Sequence, residues 1–144
     1  MENSHRTLRI IYGAMLAAAF LYIIVAEQMA SASSAPDRMI VGIVTALAIG
    51  NAIVAVIVRT KLAKPAELAL STDPENAALQ NRWRMGTIIA AAMGESIVLF
   101  GMVLRFLGAD RANVAALYLI GVVVLVFAMP RKPQVAIPGM PPQP

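Results

Sequence analysis

Four apolar runs of about twenty residues, each closed at its ends by charge or proline, decide what this chain can fold into. They cover residues 8–26, 39–58, 85–104 and 112–129. At 1.5 Å of rise per helical residue, a run of this length crosses a hydrocarbon layer of about 30 Å. Inside that layer no water satisfies the backbone, so a spanning segment must bond its own peptide groups as a helix. The chain is 59% hydrophobic and 14% charged, where a soluble domain is about 45–50% apolar and about 25% charged. A chain of 144 residues cannot hide that excess in its own core, because small domains leave much of their surface exposed. The expected fold is all-α: a polytopic membrane protein with four transmembrane helices in an antiparallel bundle, and with the lipid bilayer as its main solvent.

Several kinds of chemistry are excluded by what is missing. There are no cysteines, hence no disulfide framework, thiolate metal site or thiol redox centre. The single histidine, His5, precedes the first run, so no His-based metal or haem site is expected within the membrane. No Ser/His/Asp set, phosphate-binding loop or metal cluster is visible. Glu27 and Asp37 on one side, and Glu67, Asp73 and Glu75 on the other, read as solvated loop charges. No enzyme and no cofactor is expected. The net charge of +4 comes from residues flanking the spans, which is a topology signal and not one for nucleic acid.

Lys and Arg gather on one side. Arg6, Arg9, Arg59, Lys61, Lys64, Arg82, Arg84, Arg131 and Lys132 make nine, against Arg38, Arg105 and Arg111 opposite. The positive-inside bias then puts both termini and the 59–84 loop in the cytoplasm, as for a protein of a bacterial inner membrane. A competing reading takes the basic start, the apolar stretch and Ala30-Ser31-Ala32 as a signal peptide with its cleavage site. The stretch 10–26 is longer than the usual apolar core of such a peptide, which favours a retained first span.

The 59–84 loop carries local signals. Thr72 with Glu75 fits a capping box and Pro74 suits a first helical turn. A helix starting near Asp73 would run without interruption into the third span. Arg82, Trp83 and Arg84 would then serve as interface anchors, an indole between two snorkelling guanidiniums. The tail 130–144 holds six prolines and Gly139, a composition that reads as extended and unpacked.

The second and third spans carry matching stripes of small residues. Gly42, Ala46 and Gly50 are followed by Asn51; Gly86, Ala90 and Gly94 are followed by Glu95, at a constant offset of 44 residues. Positions four apart share one helix face, and in lipid such stripes let helices approach closely and pack. The stripes read as helix-packing surfaces. The offset also allows a duplication, which would be inverted because the two spans run in opposite directions.

Glu95 is the most telling single residue. It lies alone near the middle of the third span, where insertion of an acidic side chain costs about 2.5–3.5 kcal/mol. Desolvation at that depth favours the uncharged acid. By depth, Glu95 lies about 15 Å from the basic end of its span, Asn51 about 10 Å and Thr45 about 20 Å. Asn51 or Thr45 on the neighbouring helix can therefore partner it in an ion or proton site, and Tyr22 and Tyr118 are also near mid-depth. Ser96 and Thr87 are poorly spaced to reach it. Arg105 lies about 15 Å further along the axis and is expected to snorkel to the far interface with Arg111 and Asp110.

The stretch 94–104, Gly94-Glu95-Ser96-Ile97-Val98-Leu99-Phe100-Gly101-Met102-Val103-Leu104, followed by Phe106-Leu107, resembles the carboxylate helix of the rotary ATP synthase proteolipid, subunit c, over residues 84–107. In that family a mid-membrane acidic residue is followed by a small residue, then by an aromatic and a glycine, the places taken here by Ser96, Phe100 and Gly101. The resemblance implies a carboxyl that takes up and releases H⁺ or Na⁺ as a ring of copies turns. The chain departs from the family in its two extra spans, in its loop of about two dozen residues where the family has a short polar one, and in Arg105 at the end of the helix.

Two functions follow as expectations. The first is a small integral membrane protein acting as a non-catalytic accessory or assembly subunit of a membrane complex. The alternative is a proteolipid-like subunit that translocates protons or Na⁺ through Glu95. Either implies a homo-oligomer or other membrane subunits as partners, because a bundle of four helices is too thin to enclose a wide aqueous path by itself.

Overall fold

The computed structural model describes residues 2–30 and 36–131, with side chains from residue 5 onward. The Ser31-Ala32 part of the cleavage-site reading and the proline-rich tail beyond Arg131 lie outside the described residues. Within them the fold is all-helical: α1 (Glu2–Met29), α2 (Arg38–Val58), a π-helical turn (Arg59–Ala63), α3 (Lys64–Ala69), α4 (Ala77–Phe106) and α5 (Arg111–Ala128). Four of the helical segments are long and apolar enough to cross a membrane.

The helices run up and down between two ends. At one end Glu27 of α1 meets Arg105 of α4 and Arg111 of α5; at the other, Glu67 of α3 meets Arg59 at the foot of α2. These are called the Glu27 end and the Glu67 end. The central helix is α4. In its most apolar stretch 44% of residues are buried, against 11% in α2. It packs on α1, α2, α3 and α5, and its tightest partner is α5. Small residues permit this. A methyl group on Gly94 would sit 3.0 Å from the Leu125 side chain and backbone nitrogen, and one on Gly121 2.6 Å from Val98. The α4–α5 pair closes nearly backbone to backbone, where dispersion gains most from short separations.

The turns follow from local chemistry. Asp37 caps α2 by accepting from the Met39 N–H at 2.9 Å, and Asp110 caps α5 by accepting from the Asn113 N–H at 2.7 Å. Between α4 and α5, Gly108 takes φ 89°, a conformation glycine adopts without strain. The N–H groups of Gly108 and Ala109 return to the carbonyls of Arg105 and Leu104, the paired closure that ends many helices.

The 59–84 segment departs from its sequence reading as a loop. α2 passes through the π-turn into α3, so one apolar helical stretch spans Arg38–Ala69. Pro65 explains the turn: it has no N–H, and its ring would crowd the carbonyl four residues back. The wider π-turn, closed by the Lys64 N–H on the Arg59 carbonyl, makes room for it. The capping box also does not form. Residues 70–76 turn back, and Asn76 caps α4 by accepting from the Leu79 N–H at 3.1 Å. Asn76 in turn donates to Asp73, and Gln80 to the Pro74 carbonyl. α4 thus begins at Ala77, four residues later than the Thr72/Glu75 pattern indicates, because an asparagine directly before the helix out-competes it.

Candidate functional site

Glu95 lies on α4 between its two ends and is half-buried. Its partner comes from α1: the Tyr22 hydroxyl donates to Glu95 Oε1 at 3.3 Å. Glu95 takes part in no ion pair among the described residues. The hydroxyls of its own helix do not serve it. Thr87 donates to the Trp83 carbonyl and Ser96 to the Ala92 carbonyl, each four residues back, as hydroxyls commonly do within a helix.

The candidate trio of Glu95, Asn51 and Thr45 is not assembled. Asn51 is half-buried and makes no hydrogen bond among the described residues. Thr45 lines a separate cavity of about 300 Å³ between α2 and α5, with Val41, Ala48, Ala52, Asn113 and Leu117. The reason is helix rotation. α2 turns its Ala48/Ala55 face inward, which points Gly42, Ala46 and Gly50 outward. Depth along the axis was readable; azimuth around it was not.

The two small-residue stripes therefore have opposite roles. On α4, Gly86, Ala90 and Gly94 are buried, and a methyl group on Gly86 would lie 2.9 Å from Ala63 in the π-turn. On α2, Gly42, Ala46 and Gly50 are exposed, and a methyl group on Gly42 or Gly50 would meet nothing within 4 Å. Ile43, Leu47, Ile49, Ile53 and Ile57 stand exposed around that second stripe.

Trp83 is corrected as an interface anchor. It is 1% exposed, packed with Leu8, Ala66 and Leu70 and stacked on His5 with ring centroids 6.0 Å apart and planes 3° from parallel. The α1 start and α3 fold over it, so the indole is a core residue at the Glu67 end. Arg82 and Arg84 flank it, exposed and half-buried respectively.

Two ionic clusters were not read from the sequence as such. Arg59 is 6% exposed and lies 3.0 Å from Glu67, with a longer bond of 3.4 Å to the Met129 carbonyl. The Arg59–Glu67 contact is a charge pair out of hydrogen-bonding alignment. At the far end Arg105 Nε donates to Glu27 Oε1 at 3.1 Å and Arg111 Nε approaches Glu27 Oε2 at 3.4 Å. Arg105 thus turns inward to Glu27 instead of snorkelling with Asp110, and neither Glu27 nor Glu67 is a free loop charge. The available signal was placement: Glu27 sits at a helix end level with Arg105 and Arg111 of two other spans, and Glu67 lies eight residues, about two helical turns, beyond Arg59 on the same stretch.

Trp83 Nε1 is buried without a hydrogen-bond partner among the described residues, and two tyrosines add polar groups to the helices. Tyr12 donates to the Leu125 carbonyl at 2.8 Å. Tyr118 lies over Gly101, and its buried hydroxyl has no hydrogen-bond partner among the described residues. Nor is there a group of His, Asp and Glu side chains placed to hold a metal among those residues. No family model matches the chain, and no curated protein and no solved structure matches it.

Proposed function

We propose that this small membrane protein is a non-catalytic accessory or assembly subunit, and that it packs against other membrane helices through the outward face of α2. The observation that supports the reading is the exposed Gly42/Ala46/Gly50 stripe beside Asn51, a polar side chain with no hydrogen bond among the described residues. In lipid a smooth stripe gains by close helix approach, and an amide gains by a hydrogen bond across the contact. The partners are further copies of this chain or other membrane subunits. The Lys and Arg distribution supports cytoplasmic termini, with the Glu67 end on the cytoplasmic side of a bacterial inner membrane.

A second reading has one observation in its favour. Among the described residues Glu95 is hydrogen-bonded by the Tyr22 phenol and forms no ion pair, so no fixed cation occupies the place that a proton or Na⁺ would take. On that reading it is the proton or Na⁺ site of a proteolipid-like subunit. Glu95→Gln separates the two. It keeps shape and hydrogen-bonding capacity while removing the ionisable group. Loss of ion movement in vesicles with assembly intact assigns Glu95 to transport. Unchanged ion movement assigns it to packing and leaves the assembly reading in place.

A further inference from the structure

Polar groups are unevenly distributed about Glu95. Toward the Glu27 end, the α1–α4–α5 seam carries the Tyr22 hydroxyl on Glu95, the unpartnered buried hydroxyl of Tyr118, and the Glu27–Arg105–Arg111 cluster at the mouth. Tyr118 lies over Gly101, between Glu95 and Arg105 along α4, and within electrostatic reach of Glu27 and Arg105. Tyr22 is five residues from Glu27, about 7 Å along α1. Toward the Glu67 end the seam is closed by Met15, Leu16, Ala19, Ala90 and Ala91. The hydroxyls there, Tyr12 and Thr87, are already spent on backbone carbonyls.

A buried hydroxyl without a partner is costly unless water satisfies it. A half-buried carboxyl at mid-span carries a similar cost against acyl chains. Both costs fall if water enters from the Glu27 end, where charge and phenols give it partners up to Glu95; the polar groups of the opposite end, Arg59, Glu67 and Trp83, are separated from Glu95 by the apolar packing of Met15, Leu16, Ala19, Ala90 and Ala91. We propose that Glu95 has one-sided aqueous access: water reaches it along Tyr118 and Tyr22 from the Glu27 end, and the apolar packing closes it from the Glu67 end. Proton exchange at Glu95 is then with the Glu27 side alone. The inference rests on the ion-site reading for its physiological use, but the access itself is tested independently.

The chain has no cysteine, so single cysteines report without background. Glu95→Cys in lipid vesicles is treated from either side with a charged, membrane-impermeant methanethiosulfonate, whose reaction needs a thiolate and hence water. The attacking sulfur forms a mixed disulfide and methanesulfinate leaves. Arg38→Cys and Thr72→Cys, exposed at the Glu27 and Glu67 ends, mark the two sides. Leu119→Cys, 65% exposed on the outer apolar surface, is the control for a lipid-facing thiol. The expected result is labelling of Glu95→Cys from the Glu27 side only, about tenfold or more faster than Leu119→Cys, following the thiolate fraction that water permits. Labelling from the Glu67 side, from both sides equally, or from neither while the two markers react overturns the proposal. Where Glu95→Cys fails to fold, Tyr22→Cys carries the same test with the same outcomes. One-sided labelling together with unchanged ion movement in Glu95→Gln keeps the access and removes the transport reading.

Discussion

Whether a glycine matters in this protein depends on which way it faces. Gly94 and Gly50 occupy equivalent places in two matching stripes, yet a methyl group on Gly94 would press within 3.0 Å of the Leu125 backbone and one on Gly50 would enter open space. Backbone cannot yield as a flexible side-chain end can, so Gly94→Ala is expected to destabilise the α4–α5 pair by about 1–3 kcal/mol. Gly50→Ala is expected to leave monomer stability within about 0.5 kcal/mol, as for surface changes. Denaturant titration in detergent followed by circular dichroism compares them directly; equal losses would contradict the assigned helix rotations. Residue types and spacings identified both stripes and singled out Glu95. The partner of Glu95 could only be narrowed to a group by depth, and Tyr22 emerged because helix rotation, set by all the packed faces together, brings α1 to it while α2 turns Asn51 elsewhere.

At the scale of elements, the π-turn and α3 form a knee that holds the Glu67 end together. Ala63 of the turn packs on Gly86, Glu67 of α3 pairs with Arg59, and Trp83 is enclosed by Leu8, Ala66 and Leu70. Removing one member of a buried pair leaves the other charge uncompensated. Arg59→Met alone is therefore expected to cost about 3 kcal/mol, the low end for buried pairs because Glu67 retains some exposure. The double variant Arg59→Met with Glu67→Leu removes both charges and is expected to recover most of that loss. A double-mutant cycle in the same unfolding assay measures it, and additive losses would show that the pair does not couple. The presence of four long apolar helices was legible because hydropathy and length suffice for it, whereas the second stretch runs on to Ala69 and the third begins at Ala77. The knee was not, since its residues are polar enough to read as a loop and only Pro65 hints at the wider turn. The early Thr72/Glu75 start failed because Asn76 offered a better cap.

For the molecule as a whole, the asymmetry between its helices is the main result. α4 is a hub wrapped by α1, α2 and α5, whereas α2 gives only its Ala48/Ala55 side to the bundle and leaves a long apolar face with a small-residue stripe outside. The lipid bilayer covers such a face at no great cost, but the stripe and Asn51 suit another helix better. The all-helical architecture was fully foreshadowed by the four apolar runs; which helix would be central was not, since both stripes look alike in sequence. The most direct measurement is the native mass of the protein extracted gently from its membrane, for the unaltered chain and for Gly50→Leu. We expect the unaltered chain in a complex of defined stoichiometry, and Gly50→Leu released as a monomer with its helix content intact. A monomeric unaltered chain, or a complex indifferent to Gly50→Leu, would contradict the assignment of the α2 face to assembly.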